Sequence, residues 1–233
     1  MHKLTTMKTH FLLLFALLLA GAATAQSTFG VRIGAGHTNV RSGAAFDVAT
    51  ERMDGIGTTS LGAFAEIPIT EFINFRPGIE YGSRGSSVAL TDDVALFGVN
   101  LPVGARVKTR INYLDAPLLV EFRLPTESAI QPYAIVGPTV GYATGGKLTT
   151  AARAIIELNL YSTDIDLDAI RYDRFNVGVI GGVGARARLG ETTGLFLEAR
   201  YEHGLSQPYD VPVIQDKVGF QGWNVGAGVT FAL

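Results

Sequence analysis

Apolar and polar residues alternate with period two in eight segments of the chain, the pattern of β-strands that present two unlike faces. The last segment, Gln221 to Leu233, shows it most plainly: Trp223, Val225, Ala227, Val229, Phe231 and Leu233 share one face, and Asn224, Gly226, Gly228 and Thr230 share the other. The first, Thr28 to Asn39, sets Phe29, Val31, Ile33 and Ala35 against Gly30, Arg32, Gly34 and Gly36. The second, Thr58 to Ile67, sets Leu61, Ala63, Ala65 and Ile67 against Gly62, Phe64 and Glu66. In the third, Ile73 to Arg84, the apolar face is Ile73, Phe75, Ile79 and Tyr81, with Asn74, Arg76, Glu80 and Arg84 opposite. The fourth, Thr109 to Arg123, sets Leu114, Ala116, Leu118, Val120 and Phe122 against Asp115, Glu121 and Arg123, with Leu119 a minor exception. The sixth, Phe175 to Leu189, and seventh, Gly194 to Ser206, place Val177, Val179, Val183, Leu195, Leu197 and Tyr201 on one face. Their other face carries Arg186, Arg188, Glu198, Arg200 and Glu202. The fifth, Ile130 to Gly145, is apolar on both faces, and its register stays open.

The connections alternate in length. Residues 40–57, 85–108, 146–174 and 207–220 are long, whereas 68–72, 124–129 and 190–193 are short. This predicts an all-β fold: an eight-stranded antiparallel up-and-down transmembrane β-barrel with short periplasmic turns and long extracellular loops. A soluble sandwich or lipocalin-like barrel would alternate too, because alternation does not say which face meets water. The small, glycine-rich polar face and the alternating loop lengths favour the inverted arrangement, with apolar residues toward lipid. Pro77, Pro117 and Pro138 fall inside the assigned strands, where each removes a ladder hydrogen bond, so bulges or ladder interruptions are expected there.

The N-terminal stretch bears on compartment. Lys3 and Lys8 precede an apolar run from Phe11 to Ala23 that ends in Ala23, Thr24 and Ala25. This reads as a secretory signal peptide over residues 1–25, with the barrel domain over 26–233. The expected location is the outer membrane of a Gram-negative cell. Without residues 1–25 the chain carries 17 basic and 21 acidic side chains, which excludes an electrostatic footprint for nucleic acid. There is no cysteine, so no disulfide framework supports the fold, and the 28 glycines lie largely inside strand segments, where they mark bends or close packing.

Candidate chemistry concentrates on the polar face. Arg32, Glu66, Arg76, Glu80, Arg84, Glu121, Arg186, Arg188, Glu198, Arg200 and Glu202 would all point into the barrel. An eight-stranded barrel is filled by its own side chains, so these read as an ion-pair network in preference to the lining of a channel. Trp223, Val225, Ala227, Val229 and Phe231 are the expected lipid-facing residues of the last strand. His37 and the group His203, Ser206 and Asp210 near the outer rim are the weak candidates for a lipid hydrolase, which needs a base within reach of the nucleophile. Asp164, Asp166 and Asp168 lack the glycine turn and terminal acid of a calcium loop and read better as a strand extension above the membrane. Phe29, Phe72, Phe75, Tyr113, Trp223 and Phe231 are candidates for the interfacial aromatic girdles. No cofactor, metal or catalytic site is expected.

The strings FGVRIGAG from Phe29, FRPGIEYGSRG from Phe75, YLDAPLLVEFRL from Tyr113, QPYAIVGPTVGY from Gln131, RFNVGVIGGVGAR from Arg174, EARYEHGLS from Glu198 and the closing WNVGAGVTF together cover most strands but not the loops. In order and spacing they resemble the PorT-like outer-membrane β-barrel proteins of Bacteroidetes. The resemblance accommodates Pro117 and Pro138, since similar stretches occur in that family's strands. It implies a small barrel, in one member supporting secretion and surface maturation and in others loosely labelled a porin. The expected partners are outer-membrane lipid and lipopolysaccharide, the barrel-assembly machinery, and a secretion-system or surface partner. Such barrels usually end in an aromatic residue read by the assembly machinery; here the last residue is Leu233, and Phe231 on the same face would serve.

Overall fold

The computed structural model describes residues 27–41, 53–96, 99–153, 157–170, 172–206 and 219–233. The expected signal peptide lies outside the described residues. Nine strands are present among them: β1 (Thr28–Arg41), β2 (Met53–Pro68), β3 (Ile73–Leu96), β4 (Val99–Arg123), β5 (Ile130–Arg153), β6 (Glu157–Ile165), β7 (Phe175–Arg188), β8 (Thr193–Gly204) and β9 (Gly219–Ala232). All pairings are antiparallel, and eight strands close a barrel in chain order because β9 pairs with β1, β4 with β5, and β5 with β7. β6 pairs with the upper part of β5, outside the ring. Closure removes every sheet edge within the ring, as a hydrocarbon surrounding requires of strands.

Parity decides which side chains meet lipid. On β9, Trp223, Val225, Ala227 and Phe231 are exposed, Val229 is half-buried, and Gly226 and Thr230 are buried. From Trp223 to Phe231 the strand rises roughly 26 Å, and a tilt near 40° brings this to about 20 Å, close to the apolar band of such barrels. Leu61, Ile79, Leu114, Val140, Val183 and Leu197 carry the same outward band round the other strands. The register of β5, open in the sequence, is fixed by Tyr133, Ile135 and Thr139, which are buried, while Val136, Val140 and Tyr142 are exposed.

The expectation of long loops needs correction, whereas the prolines do interrupt the ladder. Residues 85–108 and much of 146–174 were expected to be loops, but β3 and β4 run on as one hairpin with Leu96 opposite Val99, and β5 continues to Arg153 against β4 and β6. From Ser83 to Leu96 the hairpin extends roughly 40 Å along its strands beyond the membrane band. The prolines interrupt the ladder without a bulge. Pairing skips from Pro77↔Leu118 to Glu80↔Asp115, and from Pro117↔Thr139 to Val120↔Val136, in unchanged register. The register shifts lie elsewhere, between Gly55 and Ser60, at Asn112/Tyr113 and at Thr150/Ala151.

Glycines on the inward face make room for aromatic rings. Phe64 lies directly across the ladder from Gly30, Tyr133 from Gly184 and Phe196 from Gly228. A Cβ on Gly30 would sit 2.3 Å from the Phe64 ring, and one on Gly184 would sit 2.4 Å from Tyr133. Three aromatic and glycine pairs thus fill the lumen without overpacking it.

Candidate functional site

The interior is spanned by arginines and carboxylates that alternate along inward parity. The ring order places β3 opposite β8 and β2 opposite β7. Four ion pairs join these opposed strands. Lowest, toward the short turns, Arg186 on β7 grips both carboxylate oxygens of Glu66 on β2, with Nη1 2.8 Å from Oε2. Arg123 Nη2 is 2.7 Å from the same Glu66 Oε2, and its Nε is 2.8 Å from Glu121. Above, Arg76 Nη1 on β3 lies 2.6 Å from Glu198 Oε2 on β8 and 3.3 Å from Glu121.

Glu198 is the hub. It also accepts from Arg32 Nε at 3.2 Å, from Arg200 Nε and from the Tyr133 hydroxyl at 3.0 Å. Arg200 Nη1 reaches Glu80 on β3 at 3.1 Å, and Arg32 Nη1 reaches Glu80 at 3.4 Å and Ser60 at 3.2 Å. Arg32 also donates to Asn224. In the upper tier Arg84 on β3 bridges Glu202 on β8 and Asp115 on β4, 3.1 Å from the latter.

Charge balances within this set. Arg32, Arg76, Arg84, Arg123, Arg186 and Arg200 face Glu66, Glu80, Asp115, Glu121, Glu198 and Glu202. Burying charge costs several kcal/mol per ion, so opposite partners and further hydrogen bonds are needed to offset it. Arg76 retains Nε and Nη2 without hydrogen bonds. Its guanidinium instead lies 3.7 Å from the Phe64 ring centroid and 5.5 Å from that of Phe196, so aromatic faces take up part of the charge.

Of the residues singled out in the sequence, ten stand inside and bond to one another. Arg188 does not: it is exposed at the turn end of β7 and belongs to none of these pairs. Asp115, Arg123 and Asn74 were not among the candidates, although their inward parity follows from the charged neighbours on the same strands; Asn224 lies on the polar face of a strand without charge, and Tyr133 on a segment whose register the alternation left open. Tyr113, taken as an interfacial aromatic, is fully buried in the lumen beneath the Arg84 guanidinium, 4.6 Å from its ring centroid. The outward aromatics at the upper boundary are Tyr81, Tyr142, Phe175, Tyr201 and Trp223, with Phe29, Phe122 and Phe231 lower down. Tyr142 and Phe175 meet edge to face at 5.2 Å.

A lid covers part of the upper lumen. The segment after β6 folds inward so that Leu167 and Tyr172 are buried with Ile111, Tyr113, Ala143 and Phe220. The Tyr113 and Tyr172 hydroxyls hydrogen-bond, and Arg174 pairs with Asp168 through two nitrogens at 2.8 and 3.0 Å. Asp164 lies in β6, but the strand ends at Ile165. Asp166 instead accepts the backbone N–H groups of Asp168 and Ala169 and forms a turn. Among the described residues no group of three or more acids or histidines is placed to hold a metal ion.

The rim residues do not assemble a hydrolytic site among the described residues. Ser206 Oγ donates to Asn176 at 2.9 Å and accepts the Val177 N–H at 3.0 Å, which engages the hydroxyl away from His203. His37 is exposed on β1 across from Trp223, and Asp210 lies outside the described residues.

Three solved structures and one family model are similar to the chain. Among solved structures, Neisserial surface protein A is 14% identical with a TM-score of 0.46, over 88% of this chain and 97% of that one. The outer membrane protein OprG of Pseudomonas aeruginosa is 17% identical with a TM-score of 0.45, over 90% and 96%. Ail, the attachment invasion locus protein of Yersinia pestis, in complex with the heparin analogue sucrose octasulfate, is 13% identical with a TM-score of 0.35, over 88% and 99%. No curated protein matches the chain. The family model described as outer membrane protein beta-barrel domain matches residues 24–209, from just before β1 to just past β8. The chain therefore belongs to the outer membrane protein beta-barrel domain family, and its place is the outer membrane.

Proposed function

We propose that this chain is a non-enzymatic barrel whose lumen is sealed and whose working surface is the β3–β6 extension outside the membrane, in a structural, surface-binding or secretion-accessory role. The single observation that carries the reading is the set of four ion pairs joining opposed strands across the lumen, beneath an aromatic lid. Such an interior serves rigidity, and four strand segments projecting beyond the band serve presentation. The ordered motifs from FGVRIGAG to WNVGAGVTF support a PorT-like branch for the chain. Its partners are outer-membrane lipid and lipopolysaccharide, the assembly machinery reading Phe231 during insertion, and a secretion-system or surface protein meeting the extension.

The test replaces the tip of the β3–β4 hairpin, residues 91–104, with a two-residue Asn-Gly turn that joins the paired Leu90 and Ala105. The reading expects normal outer-membrane levels and heat-modifiable migration, with loss of surface binding or a changed secretome. An unchanged phenotype would contradict it. For the enzymatic alternative, His203→Ala is expected to leave lipid A and phospholipid turnover unaltered.

A further inference from the structure

The ladder between β2 and β3 is interrupted at the upper boundary of the apolar band. Pairing runs up to Ser60↔Gly82 and resumes at Gly55↔Ser86, one residue out of register. Among the described residues, Ile56 to Thr59 have no ladder partner on β3, and Ser83 to Gly85 have none on β2. Over the same stretch β2 stays paired with β1, and β3 with β4, so the seam parts two strands that are each held from behind. Side chains take the place of the missing backbone bonds. Arg110 Nη2 reaches across β3 on the outer face and donates to the Gly57 carbonyl at 3.1 Å. Thr38 reaches across β2 on the inner face, where its hydroxyl accepts the Gly85 N–H at 3.1 Å. A rotamer change releases either bond and leaves the ladders on both sides intact.

A cavity lies on each side of this seam. Inside, a chamber of about 70 Å³ is bounded by Thr58, Ser60 and Arg84 at the seam and by Glu202 across the lumen. Since ~10–15 Å³ suffices for one water, the chamber admits a small head group. Outside, a hollow in the lipid-facing wall is lined by Ile33, Ala35, Leu61, Tyr81 and Leu197. Thr59, Ser60, Gly82 and Ser83 border both spaces. A Cβ added to Gly57, just above, would meet no atom within 4 Å, so the outer side of the seam is open.

The chamber offers acceptors in preference to donors. The Glu202 and Glu80 side chains are 25% and 19% exposed, against 7% and 8% for the Arg84 and Arg200 side chains that pair with them. The guanidinium groups are turned to their carboxylates, whereas a carboxylate with roughly four lone-pair sites keeps capacity to accept. A head that donates several hydrogen bonds and carries positive charge complements this lining. We propose that the β2–β3 seam is a lateral slot for a single-chain amphiphilic amine, its ammonium in the chamber beside Glu202 and its chain passing between Thr59 and Ser83 onto the apolar hollow. The inference goes beyond the presentation role of the extension and needs no passage through the barrel, because the Arg76–Glu198 and Arg186–Glu66 pairs lie below the chamber.

Native mass spectrometry of the barrel refolded in an uncharged detergent containing dodecylamine, dodecanol or dodecanoate tests it. The wild type is expected to retain the amine about tenfold more than the alcohol, as a charge-assisted bond in place of a neutral one implies, and to reject the carboxylate. Glu202→Gln, which keeps an acceptor for Arg84 and removes the charge, should lose that preference. Ala35→Trp, which fills the hollow from the lipid side, should lower retention of the amine. Ala134→Trp, lipid-facing on β5 across the ring from β1, should not. The chain has no cysteine, so the Thr59→Cys/Ser83→Cys variant can be cross-linked selectively across the seam. Its oxidised form should lose the amine and its reduced form regain it. Heat-modifiable migration shows that each variant is folded. Equal retention of amine and alcohol by the wild type would overturn the site. Amine retention that withstands Ala35→Trp, or the cross-link, would overturn the passage of the chain through the seam.

Discussion

Arg76 Nη1 and Glu198 Oε2 meet 2.6 Å apart on strands that face each other across the barrel, and each side chain is at most 1% exposed. Glu198 simultaneously compensates Arg32 and Arg200. Removing this one carboxylate leaves three buried guanidinium groups short of a partner. Glu198→Ala is expected to cost about 3–5 kcal/mol of unfolding free energy in detergent micelles, followed by urea titration of Trp223 fluorescence. A loss below about 1 kcal/mol would show that the hub is dispensable.

The bidentate pair of Glu66 and Arg186 offers a different test, because breaking a buried pair and replacing it are unlike operations. Glu66→Gln and Arg186→Met should each destabilise the barrel more than the double substitution does. Arg123 and Glu121 share the site, so part of the effect will persist in the double variant. A double-mutant cycle of urea midpoints measures the coupling, expected at about 0.5–3 kcal/mol.

The aromatic and glycine pairs predict sensitivity at positions with no charge. A side chain at Gly184 would enter the space of Tyr133, which donates to Glu198. Gly184→Val should cost about 1–3 kcal/mol, whereas the same substitution at exposed Gly190 in a turn should be nearly silent in the same urea titration.

Outward parity makes the opposite demand. Ala227 lies in the middle of the lipid-facing run of β9, so Ala227→Arg should cost about 2–4 kcal/mol and lower the yield of heat-modifiable protein on refolding into bilayers. Retention of full stability would contradict the lipid-facing assignment of that strand.

Much of this interior was legible in the sequence because charge and parity coincide: Arg76, Glu80 and Arg84 recur at even positions of β3, and Glu198, Arg200 and Glu202 at even positions of β8. What escaped notice follows from local irregularity. The extra residue at Thr144 inverts parity partway along β5, so no single alternation describes that strand. The β3–β4 hairpin beyond the band meets water on its outer face and keeps no clean apolar stripe, so it resembled a loop. Leu167 and Tyr172 are buried by the fold of a connection, where side-chain period carries no information. Tyr113 shares parity with Asp115 yet was read by residue type, and parity was the better guide.

The central claim is that the lumen is closed by ion pairs and a lid, and planar-bilayer recording of the refolded wild-type barrel tests it most directly. The account predicts a silent membrane, and silence in Tyr172→Ala as well, because the cross-lumen pairs remain when the lid is weakened. Reproducible single-channel steps from the wild-type protein would contradict it.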